Sequence, residues 1–235
     1  MKLFTLCFAM CLMSFSWISS QNLYSGEADY EVVYQYFMDR SILKNNQRET
    51  SQRIKDLSKE SDRLINEMIG KLIFNNRASI YFSPESLPPP DMAHGIANAM
   101  VRADHIFFYN LRENLFIIEN LTFGRKNRSI DDREIIWEIL TEKAIINGIE
   151  CQKAEGIFKT PGFTDTVVEV WFAPDIPFPY GPMDAYGLPG LILKYKWGVL
   201  EIEATQITRI TDGSIELIIP DFGDIPVFSG SLRGN

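Results

Sequence analysis

Few residues in this chain could do chemistry. Cys151 could act as a nucleophile, and only His94 or His105 could serve as its base, because the chain has no other histidine. Alternation along Ile149–Phe158 puts Cys151 on the side of Ile149, which predicts a small buried hydrophobe. Two histidines exclude a multi-histidine metal site. A mixed site would have to recruit Asp91 beside His94 or Asp104 beside His105. Glu216, Asp221 and Asp224 could suggest paired carboxylates for acid–base work, but acidic loop residues in an acidic chain need no such role. His-Glu-x-x-His, Gly-x-Ser-x-Gly and nucleotide-loop patterns do not occur. The expectation is a non-catalytic protein with no metal and no cofactor. An enzyme using Cys151 is the remoter alternative.

The start of the chain bears on where such a protein works. Met1-Lys2 precedes an apolar run from Leu3 to about Ile18, then Ser19 and Ser20. One positive charge, a short apolar stretch and small residues make a secretory signal peptide over residues 1–20, leaving residues 21–235 as one domain. The run is too short and too broken by Thr5, Ser14 and Ser16 for a membrane span, which needs about 20 apolar residues. Neither Cys7 nor Cys11 is placed for a lipoprotein signal. Losing the first twenty residues removes Lys2 and no acid, so the net charge goes from −8 to −9. That acidity argues against nucleic acid and anionic lipid as partners. Cys151 would be the one remaining cysteine, so no internal disulfide is expected.

The elements that must position these residues follow from periodicity. Tyr24–Met38 alternates with period two and predicts a strand. Asn46–Ile69 carries Ile54, Leu57, Ser61, Leu64, Ile65 and Met68 at helical spacing. Asn46 and Glu49 resemble a capping box, and Gly70 a stop. Short strands are expected at Lys71–Asn75 and Ala78–Ser83. A proline-rich loop (Pro84, Pro88–Pro90) should follow, then a short helix capped by Asp91 and ending about Arg102. Strands are then predicted at His105–Leu111, Leu115–Phe123, Ile135–Glu142, Ile149–Phe158, Thr166–Phe172, Leu191–Trp197 and Val199–Ile210, with one more at Ser214–Ile219. Turns are expected at Arg112–Asn114, Gly124–Asp132, Asn147-Gly148 and Pro161-Gly162. Consecutive strands on short turns imply an antiparallel meander.

Several strands are apolar on both faces, such as Phe107-Phe108-Tyr109 and Leu191-Ile192-Leu193. A helix about 10 Å wide covers only part of a sheet more than ~30 Å wide. The predicted fold is therefore α+β and mainly β: an antiparallel, strongly curved sheet, an open half-barrel, with the long amphipathic helix in its concave side.

Between the last long strands lies Pro174-Asp175-Ile176-Pro177-Phe178-Pro179-Tyr180-Gly181-Pro182, which reads as rigid and extended. Phe178, Tyr180, Met183 and Tyr186 are interleaved here. They either close one end of the core or form a rim that binds a ligand or partner. Leu188-Pro189-Gly190-Leu191 predicts a type II turn with Gly190 at positive φ.

Gly187-Leu188-Pro189-Gly190-Leu191-Ile192 spells the motif of the GLPGLI family, and the surrounding stretch is similar to that family as well. The similar parts are Gly148, Cys151-Gln152-Lys153-Ala154, Trp171-Phe172, Ile176-Pro177 and Gly181-Pro182. Two places depart from the usual pattern: Lys159–Phe163 in place of a basic Gly-Arg turn, and Met183–Tyr186 in place of an aromatic-basic pair. The resemblance implies export by a Gram-negative bacterium and residence in the periplasm or at the outer membrane. It implies no catalytic residues. The excess apolar strand surface points to a cell-envelope module that binds or carries an apolar small molecule or a membrane-associated partner. The alternative is an accessory factor of an outer-membrane transporter, acting through residues 174–182.

Overall fold

The computed structural model describes residues 28–40, 51–84, 91–122, 125–131, 133–159, 164–211 and 217. Among them are β1 (Asp29–Met38), α1 (Gln52–Glu67), β2 (Ile69–Phe74), β3 (Ala78–Phe82), α2 (Met92–Val101), β4 (His105–Asn110), β5 (Leu115–Thr122), β6 (Arg125–Ile130), β7 (Glu134–Ile146), β8 (Ile149–Lys159), β9 (Thr166–Ala173), β10 (Leu191–Trp197) and β11 (Leu200–Ile210). The protein is mainly β.

All eleven strands join one antiparallel sheet in the order β6-β5-β4-β3-β2-β1-β11-β10-β9-β8-β7. Two meanders, β2 to β6 and β7 to β11, meet through β1, which pairs with both β2 and β11. The edge strands β6 and β7 do not pair with each other, so the sheet is open. The hairpin between β7 and β8 turns at Asn147 and Gly148, with φ of 48° and 78°, the two positive values that a two-residue type I′ turn requires.

Alternation in β1 buries Tyr30, Val32, Tyr34 and Tyr36 on one face. Register carries this tyrosine face across Leu72, Phe74, Tyr81, Phe107, Tyr109 and Phe116 in one direction. In the other it continues through Ile202, Tyr195 and Val170. These residues share one hydrophobic core. The opposite face is polar at the centre of the sheet, where Glu31 meets Lys71 and Lys194 meets Glu201 and Glu203. Toward β3–β6 it turns apolar: Ala78, Phe108 and Ile117 are buried there, and Leu217 packs against them.

Several expectations are corrected. The long helix spans Gln52–Glu67 with Ser51 at its N-cap; Asn46 and Glu49 lie outside the described residues. Gly70 does not stop it. The helix ends at Met68, in extended backbone, and Gly70 sits inside β2, where a Cβ would stand 2.0 Å from the Tyr81 hydroxyl. Only Ser61 and Ile65 of α1 are fully buried, against α2 and β1, so the helix covers one end of the tyrosine face and no more. Residues 125–130, read as a turn, form edge strand β6. Backbone pairing with β5 makes them a strand, although their side chains show no apolar period. Here Lys126 and Arg128 also hold Glu119 of β5. The short helix starts as expected, with the Asp91 carboxylate accepting from the His94 N–H. Most of Ser214–Ile219 lies outside the described residues. Among the described residues, no helix is long and apolar enough to cross a membrane.

Candidate functional site

The rest of the tyrosine face is covered by residues 174–190, which join β9 to β10 without helix or strand. Five prolines in this stretch remove backbone donors, so it cannot build a ladder. What remains pins it at a few points: Gly187 N–H to Pro179 C=O (3.0 Å), Leu191 N–H to Ile176 C=O (2.9 Å) and Ile192 N–H to Tyr180 C=O (2.9 Å). The Tyr34 hydroxyl adds a bond to the Ile192 carbonyl at 2.7 Å.

Aromatic packing does most of the holding. The Phe178 ring lies 5.7 Å from Tyr30 and 5.0 Å from Phe74; Tyr180 lies 5.5 Å from Phe74 and 6.0 Å from Tyr109. Tyr186 lies 4.4 Å from Tyr109 and stacks on Phe116 at 4.7 Å. Its carbonyl accepts the indole N–H of Trp137, from β7, at 2.9 Å. Phe178, Tyr180 and Met183 are 7%, 0% and 2% exposed, and Tyr186 is half-buried. Phe178, Tyr180 and Met183 therefore lie inside and Tyr186 at the margin, against strands from both halves of the sheet. Burial pushes the Tyr186 phenol up to about 12 and the Tyr180 phenol higher still.

The turn at the end of the segment differs from expectation. Gly187 has the positive φ (91°), and Gly190 does not. The Leu191 N–H goes to Ile176 instead of back to Leu188, so Leu188-Pro189-Gly190-Leu191 is not a type II turn. Gly190 is required for space: a Cβ there would stand 2.2 Å from the Ala173 carbonyl oxygen. Leu188 is buried and Pro189 exposed.

Polar anchoring falls on Asp184, a residue with no sequence signal. Its Oδ2 accepts from Arg102 at 3.0 Å and from Arg133 at 2.9 Å. Arg133 also grips Asp131. Burial disfavours charge on this guanidinium, but the two carboxylates outweigh burial and hold it protonated. Among the described residues, two buried side-chain polar atoms lack a hydrogen-bond partner, Tyr180 Oη and Asp184 Oδ1. Both lie on this segment.

The other sequence candidates lie apart from it. Cys151 is fully buried in β8, its thiol 3.6 Å from the Ile149 carbonyl and pushed up to about 11 by burial. It should therefore resist thiol reagents in the native protein and label only on unfolding; rapid labelling of folded protein, read by intact mass, would contradict this. His94 pairs with Asp91 at 2.9 Å and His105 with Asp104 at 2.7 Å. Each makes only a two-ligand set, and no group of three metal-ligating residues occurs among the described residues. Burial, then the nearby Arg102 charge, lowers the His105 pKa. His105 borders a cavity of about 240 Å³ with Ser83, Asp104, Glu119 and Lys126. The Ser83 hydroxyl is committed to the Ile69 carbonyl at 2.9 Å. Glu216, Asp221 and Asp224 lie outside the described residues.

Residues 159–194 match a family model described as a protein of unknown function (Porph_ging). The match takes in β9, the whole of the 174–190 segment and the start of β10. No curated protein and no solved structure matches the chain.

Proposed function

We propose that this is an exported cell-envelope protein of the GLPGLI type that binds an apolar ligand on the tyrosine face, with residues 174–190 as a displaceable cover. One observation carries the reading. The only two buried side-chain polar atoms without a partner among the described residues, Tyr180 Oη and Asp184 Oδ1, both sit on this segment. An orphaned buried polar atom costs about 1–3 kcal/mol in the closed state, and that cost disappears once the segment moves into water. The cover has little regular hydrogen bonding to lose, and beneath it is a continuous aromatic surface.

A strongly curved sheet, an open half-barrel around the segment, belongs to the same proposal. Two facts support it. Tyr186 touches both Phe116 of β5 and Trp137 of β7, strands nine places apart in sheet order and about 43 Å apart if flat. The outermost strands are also tied by the short link from Ile130 to Glu134, which spans at most about 15 Å. Export rests on the character of residues 1–20.

The test begins with native mass spectrometry of protein purified from its own envelope, together with uptake of the apolar dye N-phenyl-1-naphthylamine. A retained lipid-like mass and dye binding are expected. Tyr180→Phe removes the orphaned hydroxyl and should stabilise the closed form by about 1 kcal/mol, reducing dye uptake about fivefold. A bare mass and no dye uptake by the wild type would sink the reading.

A further inference from the structure

A separate cavity of about 90 Å³ with charged groups in its wall opens beside the apolar interior. It is lined by Arg102 at the end of α2, Arg133 before β7, Thr166 of β9, Asp184, Tyr195 and Trp197 of β10. Asp184 is 5% exposed. Its Oδ2 takes both guanidiniums, while its Oδ1 takes no hydrogen bond. Native structures rarely leave a buried carboxylate oxygen without a donor, and one that lines a cavity is placed to accept from a water or a ligand hydroxyl there.

The charges restrict what that donor can be. Two arginines face Asp184 and Asp131, so the four groups sum to zero. An ammonium brought to Oδ1 would meet both guanidiniums. An anion on the guanidiniums would meet the free carboxylate oxygen. A neutral hydroxyl avoids both conflicts: it donates to Oδ1 and accepts a guanidinium N–H. Tyr195 also lines the cavity, its phenol kept protonated by burial first and by the facing Asp184 charge second. At the mouth Trp197 is 44% exposed, a flat apolar wall next to a cluster that pairs donors with acceptors.

The backbone agrees. Among the described residues, four non-glycine residues have positive φ. Two are asparagines, Asn114 and Asn147, which adopt this conformation readily. The other two are Arg102 and Met183, and both line this cavity. At Arg102 this is the left-handed cap that ends α2; at Met183, next to Asp184, left-handed backbone costs about 1–2 kcal/mol. The guanidiniums are also stacked, Arg102 over Phe107 at 4.6 Å and Arg133 over Phe158 at 5.4 Å, which limits how far they can follow a ligand.

We infer that this cavity binds a neutral polyhydroxylated ring, a single sugar residue, with Asp184 as acceptor, Arg102 and Arg133 as donors, and Trp197 as the stacking wall. The inference shares the Asp184 Oδ1 atom with the apolar-ligand reading, but here the segment stays closed and a ligand hydroxyl supplies the missing donor, so the apolar-ligand reading then rests on Tyr180 Oη. Saturation-transfer NMR tests it, with glucose, galactose, mannose and N-acetylglucosamine as probes and acetate as competitor. At least one sugar should give transfer that acetate does not displace. Trp197→Ala, at an exposed position, should weaken binding at least about tenfold and leave the melting temperature unchanged. Asp184→Asn should weaken it too. Absence of transfer from all four sugars would overturn the inference. So would equal binding by wild type and Trp197→Ala, or displacement by acetate. Dye uptake by the same protein sample keeps failure here distinct from failure of the apolar-ligand reading.

Discussion

Gly190→Ala should destabilise the protein by about 3 kcal/mol. The added Cβ would lie 2.2 Å from the Ala173 carbonyl oxygen, 2.7 Å from its carbon and 3.1 Å from Phe172 Cδ2. The first two are backbone atoms of β9, which pairs with both β8 and β10, so they cannot turn aside as a flexible side chain would. Overpacking of this kind costs about 1–3 kcal/mol, and the upper end applies where the obstacle is backbone. Gly187→Ala is the internal comparison. Its φ is positive, but the nearest atom, Trp137 Nε1, lies 3.8 Å from the added Cβ, so conformation alone is penalised, by about 1–2 kcal/mol. Urea unfolding of both variants checks the order. If Gly190→Ala cost less than Gly187→Ala, the close approach of the segment to β9 would be wrong.

Asp184→Ala should cost about 2–3 kcal/mol. Removing one partner of a buried ion pair costs about 3–5 kcal/mol, because the remaining charge is left without compensation. The lower end applies here: the Arg102 and Arg133 side chains are 26% and 21% exposed, and Arg133 keeps Asp131. Removing the orphaned Oδ1 returns part of the loss. A double-mutant cycle with Arg133→Met isolates the pair, and a positive coupling energy is expected. Additive losses would mean that Arg133 does not hold the segment. In either variant the loosened segment should also take up more apolar dye, which links these stabilities to the proposed function.

Much of the fold is legible in residue order. Leu191–Trp197 reads as a strand with the bounds it has, and Asn147-Gly148 marks a hairpin because those two residues tolerate positive φ. Asp91 marks a helix start because its carboxylate can satisfy a free N–H. The misses share one cause: the deciding contact is distant. Residues 125–130 show no apolar period, yet pairing with β5 makes them a strand. Turn chemistry accounts for Gly190 in the sequence, whereas a backbone atom 17 positions earlier dictates it. Tyr180 offers itself as a surface probe, but with no exposure its removal would open a core cavity.

The candidate site divides along the same line. Composition and period by themselves determined a mainly β antiparallel protein with an aromatic, proline-rich segment before its motif strand, because those properties depend on neighbours a few residues apart. Only the tertiary structure decided that this segment turns inward, since burial depends on which strands face it. It also brought Asp184 to Arg102 and Arg133, 82 and 51 positions away in sequence. Local periodicity cannot report such a meeting. It follows from sheet order, and sheet order from which apolar faces could be covered together.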